Sequence, residues 1–510
     1  MAVPPSRNDL DGWVCLGLAV LALVLVLASA RVAHPEEDAA MLMRYAQNFA
    51  DGHGIVYNPS GPPVDGATDL LLVPITAVPI WLGLSVDDSF SVVGGGAVIA
   101  CVCLLYLFAR RRGCSVATSA AIALFVLTGK ALFYLERAYM APVFGLAVLV
   151  LWMATDRLRR HGVDRSGVVR FVAAALVAGL VRPEGFAFAG LALLSLLISG
   201  LPSERRALLR PASWIAGGAV VFVAARWAYF GAPLPNPAYV KAGGALHLDS
   251  LKYSVGWTLL LAAPALTVLA LGVVLKTTRR LALSQIAPVV LATSMWVLLS
   301  NATNSGGRFQ YAGAILAFSG AVIVLPDLLT TARSMLERRA PTAWPAACVG
   351  VVGLVSLGLG AQGVALVSGF RARPPTAYDA VGDALGRFRG GGRTLLTTEA
   401  GTVPLRVGWR SIDAWGLNDA QIAHAGGISQ ARIAEERPDV IIIHGSGPGR
   451  WNAMIAELDT YVRTQRYLVA VPFDGSDPDL IENDWRIYVR PDAGDPDALI
   501  NALHYELAGQ

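Results

Sequence analysis

Charge is scarce in this chain. Of its 510 residues 15% are Asp, Glu, Lys or Arg and 55% are hydrophobic, whereas a soluble globule carries roughly a quarter charged residues. The shortage excludes a water-soluble globule for most of the chain and implies a polytopic membrane protein. Lysine is scarcer still, with only Lys130, Lys241, Lys252 and Lys276, so guanidinium groups carry nearly all the positive charge. A balance of 41 basic against 37 acidic residues leaves +4, too little on so long a chain to make nucleic acid the main partner. Cysteine is rare as well. Cys15, Cys101, Cys103, Cys114 and Cys348 lie in or beside apolar runs at spacings that build no soft-metal site, so no structural disulfide is expected. His34, His53 and His444 also lack metal-ligand spacing.

What the chain has in quantity is long apolar runs. Residues 12–32 reach the roughly 20 residues a span needs, and the weakly charged start and lack of a convincing cleavage site make them a first transmembrane helix rather than a signal peptide. Further runs at 88–109, 115–132, 139–155, 167–181, 185–200, 212–230, 253–275, 283–300, 310–326 and 345–369 bring the expectation to about 11 spans. Basic clusters at Arg110 to Arg112, Arg157 to Arg160, Arg205 to Arg210, Arg279 with Arg280, and Arg333 to Arg339 occupy every second connection. The positive-inside rule puts these in the cytoplasm. Residues 70–84 are apolar but short and carry Pro74 and Pro79, so they read as a helix at the outer interface. The amino terminus is then inside and the carboxyl terminus outside, as in a multi-pass protein of a plasma membrane. Residues 1–370 form the membrane domain. From residue 371 to 510 apolar runs give way to alternating short elements: strands at 394–398, 440–444, 467–472 and 485–489, and helices at 378–388, 428–436 and 451–463. That alternation predicts a soluble α/β domain on the outer face.

The outer connections hold the unusual polar residues. The first loop, 33–68, opens on Glu36, Glu37 and Asp38 and continues through Arg44, Tyr45, Asn48, His53, Asn58 and Asp65. Ala39, Met43, Ala46, Phe49 and Ala50 form one stripe at helical spacing, so 38–51 is expected to lie along the membrane surface. Carboxylates at that depth are costly unless a cation, a metal or a hydrogen-bond donor compensates. A plainer reading makes Asp38 the N-cap of this helix. Arg182 and Glu184 are wedged between two spans, as a phosphate-binding group with its partner or as an ion pair closing a tight hairpin. Arg226, Asn236 and Lys241 follow in the next outer connection, and Arg308 in the one after. Arg182, Lys241 and Arg308 put three cations on the outer face, a set suited to a phosphate or pyrophosphate, although any one alone could be a snorkelling anchor. Gly445-Ser-Gly-Pro-Gly449 lacks the lysine of a nucleotide loop and reads as a turn, and Asn301-Ala-Thr303 is a sequon by pattern only.

Taken in order, these residues resemble a known family. The acidic pair is followed by Arg44-Tyr45-Ala46, Asn48, Gly52-His53-Gly54, Tyr57-Asn58-Pro59, Val64-Asp65-Gly66-Ala67-Thr68 and Arg182-Pro183-Glu184-Gly185. Tyr229-Phe230-Gly231, Leu234-Pro235-Asn236, Lys241 and Arg308-Phe309 continue the series, with Glu399-Ala400-Gly401, Pro404 and Asp413-Ala414-Trp415-Gly416-Leu417-Asn418-Asp419 in the last domain. The order looks like that of bacterial GT-C membrane glycosyltransferases, including the terminal arabinofuranosyltransferases of mycobacterial cell-wall synthesis. The chain departs from the family in having Glu37-Asp38 where two aspartates are usual, and Met140-Ala141 where a glutamate and threonine are common before the proline.

The resemblance implies an inverting transfer of a sugar, arabinofuranose or another pentose or hexose, from a polyprenyl-phosphate donor to an outer-face glycan or glycolipid acceptor. It implies Asp38 as base with Glu37 beside it, and Arg182, Lys241 and Arg308 on the donor phosphate. Arg44, Tyr45, Asn48, His53, Asn58, Asp65, Glu184 and Asn236 are then substrate-positioning candidates. A divalent cation, Mg or Mn, held by Glu37 and Asp38 is the competing account of the chemistry. The rival from another class is a transporter or flippase of lipid-linked sugars without transfer activity, but its charges belong near the bilayer midplane on broken, paired helices. A receptor or scaffold ranks third, since so many spans exceed what an anchor needs.

Overall fold

Every one of the apolar runs forms a helix. The computed structural model describes residues 7–200, 206–242, 246–298, 304–339, 343–369, 376–445, 449–471 and 485–507. The runs become α1 (Arg7–Ala30), α4 (Val86–Arg111), α5 (Val116–Val126), α7 (Ala141–His161), α8 (Arg165–Val181), α9 (Glu184–Ser199), α10 (Leu209–Phe230), α12 (Leu248–Val274), α13 (Arg279–Ser294), α14 (Tyr311–Arg339) and α15 (Ala343–Gly369). Among the described residues nine helical stretches are long and apolar enough to cross a membrane. The difference from eleven lies in α8 and α9, which stop at 17 and 16 residues. Residues 70–84 contain α3 (Leu72–Trp81), only 10 residues long with Pro79 inside it, too short for the roughly 30 Å hydrocarbon core at 1.5 Å per residue.

The chain divides into two compact units: residues 1–33, 90–222 and 245–372 make the first, and residues 34–89, 223–244 and 373–510 the second. In the first, Ser115 and Asp164 cap α5 and α8 by accepting the backbone N–H groups of Thr118 and Gly167. Helix α5 runs into a π-helical turn at Leu127–Ala131, where Gly129 leaves helical geometry (φ −71°, ψ −132°), before α6 (Leu132–Glu136) resumes. Basic helix ends gather at one end of this bundle. Arg110 at the end of α4 pairs with Asp11 of α1 at 2.6 Å, and Asp156 of α7 takes both Arg159, at 2.6 Å, and Arg112, at 3.8 Å.

The second unit is built on a five-stranded sheet, β1 (Thr394–Thr397), β2 (Arg410–Asp413), β3 (Val440–His444), β4 (Leu468–Val471) and β5 (Trp485–Val489), in the order β2-β1-β3-β5-β4. Strands β2, β1 and β3 are parallel and β5 runs antiparallel to both its neighbours. Alternate side chains of β3 feed two cores, Val440 and Ile442 on one face, Ile441 and Ile443 on the other. The first face also receives Val403 and Val407 of α17 (Thr402–Val407), and the second receives Ile422 of α18 (Ala420–Ala425) and Ile433 of α19 (Gln430–Glu436). Helix α16 (Ala377–Gly386) opens on a capping box between Thr376 and Asp379. The four expected strands are present, while the periodicity gave no sign of β2, α17, α18 or α21 (Pro496–Leu507).

Candidate active site

The first loop begins with α2 (Glu37–Ala50). An amphipathic helix with one buried stripe was expected, but Ala39 through Ala46 are all buried, together with Asn48. The reason is polar as well as apolar: residues 56–58 and 400–418 of the same unit satisfy its polar side chains. Arg44, 4% exposed, donates to the carbonyls of Tyr57 at 2.7 Å and Trp409 at 2.8 Å, to Asn58 Oδ1 at 3.0 Å and to the carbonyl of Pro404. Its guanidinium also lies 4.7 Å from the Tyr57 ring centroid. Tyr45 meets Asn418 Oδ1 at 2.9 Å and accepts the Gly66 N–H at 3.2 Å. Asn48 donates to the carbonyls of Val56 and Tyr57, both at 2.9 Å. Asn58 pairs with Ser411 through both of its amide atoms at 2.9 Å, in the manner of another strand, and so covers the free edge of β2. His53 stands exposed on the turn after α2.

The carboxylates at the start of α2 differ in surroundings. Glu36 is the N-cap, and Asp38 is the second residue of the helix, so the capping position is not Asp38's. Glu37 reaches residues that follow β1. Its Oε2 accepts the Gly401 N–H at 2.8 Å and its Oε1 the Thr402 N–H at 3.0 Å. Burial, then the neighbouring Glu399, pushes the Glu37 carboxyl up to about 7. Glu399 itself meets His444 Nδ1 at 2.9 Å, and the Tyr57 hydroxyl donates to the Ala400 carbonyl at 2.7 Å. Among the described residues no three His, Cys, Asp or Glu side chains stand where they could hold a metal ion, and both Glu37 oxygens accept backbone N–H groups.

Asp65 forms a buried ion pair with Arg226, each side chain 2% exposed, with Arg226 Nε 2.9 Å from Asp65 Oδ2. Its backbone carbonyl accepts the N–H of Asn236, the first residue of α11 (Asn236–Ala242), whose last turn carries the half-buried Lys241. The Asp413 to Asp419 run is a folding device. Asp413 accepts the backbone N–H groups of Trp415, Gly416 and Asn418 at 2.8 to 3.1 Å and so presents Asn418 to Tyr45. Burial raises the Asp413 carboxyl to about 6.

Arg182, Glu184 and Arg308 belong to the first unit. Arg182 donates to Glu184 at 3.1 Å, and its guanidinium lies 5.6 Å from the ring centroids of both Phe144 and Phe309. Arg308 lies 5.2 Å from the same Phe309 ring and 4.1 Å from that of Tyr139. Two of the three expected cations therefore approach one aromatic ring, which is itself stacked on Trp296 at 4.8 Å. The resemblance placed Phe309 beside Arg308, but nothing in the sequence joined it to Arg182 or Trp296, which come from distant segments. Sequence reading also missed a cavity of about 310 Å³ beside the π-turn, where Lys130, Glu136, Thr128 and Gln362 interrupt an otherwise apolar lining. A lysine ending an apolar run was its only sign. Asn301 to Thr303 and Ser446 to Pro448 lie outside the described residues.

With this geometry in hand, the comparison with solved structures decides the architecture. The crystal structure of ArnT from Cupriavidus metallidurans bound to undecaprenyl phosphate matches over 94% of this chain and 98% of that one, at a TM-score of 0.60 and 14% identity. The same protein in the apo state matches over the same shares at 0.58 and 15%. The chain has the GT-C fold. A domain of unknown function, DUF8728, matches residues 370–488, and no curated protein matches the sequence.

Proposed function

We propose that this protein is a membrane glycosyltransferase that moves a sugar, a pentose such as arabinofuranose or a hexose, from a polyprenyl-phosphate donor to a glycan or glycolipid acceptor of the cell envelope, with inversion. The observation that carries this reading is the pair of guanidinium groups, Arg182 and Arg308, brought to one Phe309 ring in a fold whose relative ArnT binds undecaprenyl phosphate. Guanidinium groups suit phosphate oxygens, which they bind bidentately, and Glu184 holds the Arg182 guanidinium in place at 3.1 Å. Lys241 is the third candidate for that charge.

Inversion requires the acceptor hydroxyl to attack the anomeric carbon from the face opposite the departing phosphate. A carboxylate takes the hydroxyl proton as the carbon–oxygen bond forms, while cations stabilise the charge that collects on the phosphate. Asp38 is assigned as the base. With both Glu37 oxygens bound to backbone N–H groups, the proposed reaction uses Asp38 directly and no metal ion. Asn236, Asp65 and the loop residues around Arg44 act through the shape they give the first loop.

Membranes carrying the wild type or Asp38→Asn are supplied with labelled polyprenyl-phosphate arabinofuranose, mannose and glucose, with and without EDTA. The expected result is transfer from one donor, a loss on the order of 1,000-fold in Asp38→Asn at unchanged protein level, and no effect of EDTA. Equal transfer by Asp38→Asn would remove Asp38 from the chemistry, and failure of all three donors would remove these sugars from the proposal.

A further inference from the structure

Open α/β sheets receive ligands outside the carboxyl ends of their strands, where the connections of neighbouring strands leave on opposite faces. In this sheet that place lies between β1 and β3. Strand β1 leads through α17 to β2 on one face, β3 is followed by α20 (Arg450–Thr464) on the other, and β3 lies directly beside β1. The residues there are Glu399, Ala400 and Gly401 after β1 and His444 at the end of β3.

What reaches this place is α2. Both oxygens of Glu37 accept backbone N–H groups from residues 401 and 402, the Tyr57 hydroxyl donates to the carbonyl of residue 400, and Arg44 donates to that of Pro404. The approach is close enough to dictate sequence on the domain side. A Cβ on Gly401 would stand 2.2 Å from the Glu37 carbonyl oxygen, nearer than real Cβ contacts come. The charged and titratable groups facing Glu37 are Glu399, itself held by His444, and Tyr57.

We infer that Glu37 is a positioning residue: by binding the backbone of residues 401 and 402 it clamps the start of α2 to the sheet and so fixes Asp38, the next residue, for the reaction. Glu37 thus acts through the α/β domain and does not touch the sugar. The inference rests on the transferase reading above, and it specifies what the last domain contributes to that reaction.

The clamp can be cut from either side. Glu37→Gln puts an amide N–H₂ where a second acceptor is needed, and Thr402→Pro deletes one N–H at a first helical position that tolerates proline. Transfer kinetics and amide hydrogen exchange are measured for both variants and for the double variant. The expected result is a roughly 100-fold fall in kcat for each, an unchanged KM for the donor, a double variant no worse than the weaker single, and faster exchange over residues 38–44 in all three. If Thr402→Pro does not accumulate in membranes, Gly401→Ala takes its place. Wild-type kcat in Thr402→Pro beside a dead Glu37→Gln would overturn the inference, because Glu37 would then act directly. Unchanged exchange in the variants would overturn it as well. Should the wild type transfer no sugar, the transferase reading fails, and the exchange measurement still decides whether the clamp exists.

Discussion

At the scale of single residues, Glu37 stores a pH dependence. Its carboxyl is raised from 4.5 to about 7 by burial and by Glu399, so the folded protein holds this proton more tightly than the unfolded chain does. Between these two values the native state binds more protons, and stability falls as pH rises through the window, by at most about 3 kcal/mol. The expected outcome is a thermal unfolding midpoint in detergent that declines from pH 4.5 to pH 7 in the wild type and less steeply in Glu37→Gln. Parallel pH profiles for the two would show that Glu37 is not the group responsible. Sequence identified Glu37 and Asp38 as unusual because charge is expensive at the end of an apolar helix. The resemblance set Asp38 as base and Glu37 as its neighbour, but nothing in the sequence showed what Glu37 binds, since the Gly401 donor lies 364 residues away.

At the scale of elements, the first loop shows where periodicity stops being informative. The stripe on α2 correctly predicted a helix, but Arg44, Tyr45 and Asn48, outside that stripe and expected to position substrate, are each buried and hydrogen-bonded within the protein. Charge pattern alone cannot distinguish a solvated arginine from one enclosed by carbonyls. The same limit hid β2, four residues long, whose outer edge is completed by the Asn58 side chain. The junction of this loop with the domain can be tested at Gly66. A Cβ there would stand 2.0 Å from Asn418 Oδ1 and 2.6 Å from the Tyr45 hydroxyl. Gly66→Ala is expected to cost about 1–3 kcal/mol by overpacking and to expose the first loop to limited proteolysis. Unaltered protease resistance and an unaltered unfolding midpoint would argue against this junction.

At the scale of the whole molecule, most of the architecture was legible. Apolar run length located each long helix, and the loss of such runs near residue 371 located the sheet. Run length gave α8 and α9 at close to their 17 and 16 residues, and counting runs that short as full spans is what separates eleven from nine. It did not reveal that residues 34–89 and 223–244 join the sheet in one unit, since that grouping depends on contacts between distant segments. The sidedness expected from the basic clusters is open to direct labelling. In a variant stripped of its five cysteines, a cysteine at Arg206 is expected to resist an impermeant maleimide in intact cells, and one at Gln465 to react. The reverse pattern would invert the topology.

The contacts between α2 and residues 400–418 also set a timetable. Glu37 leaves the ribosome more than 360 residues before Gly401 does, which at 5–20 residues per second is roughly 20–70 s of synthesis. During that interval the nascent chain gains its apolar helices but lacks the N–H donors that hold Glu37. A chain cut short before β1 keeps the Asp65–Arg226 pair of its first loop but lacks the partners of Glu37 and Asn58.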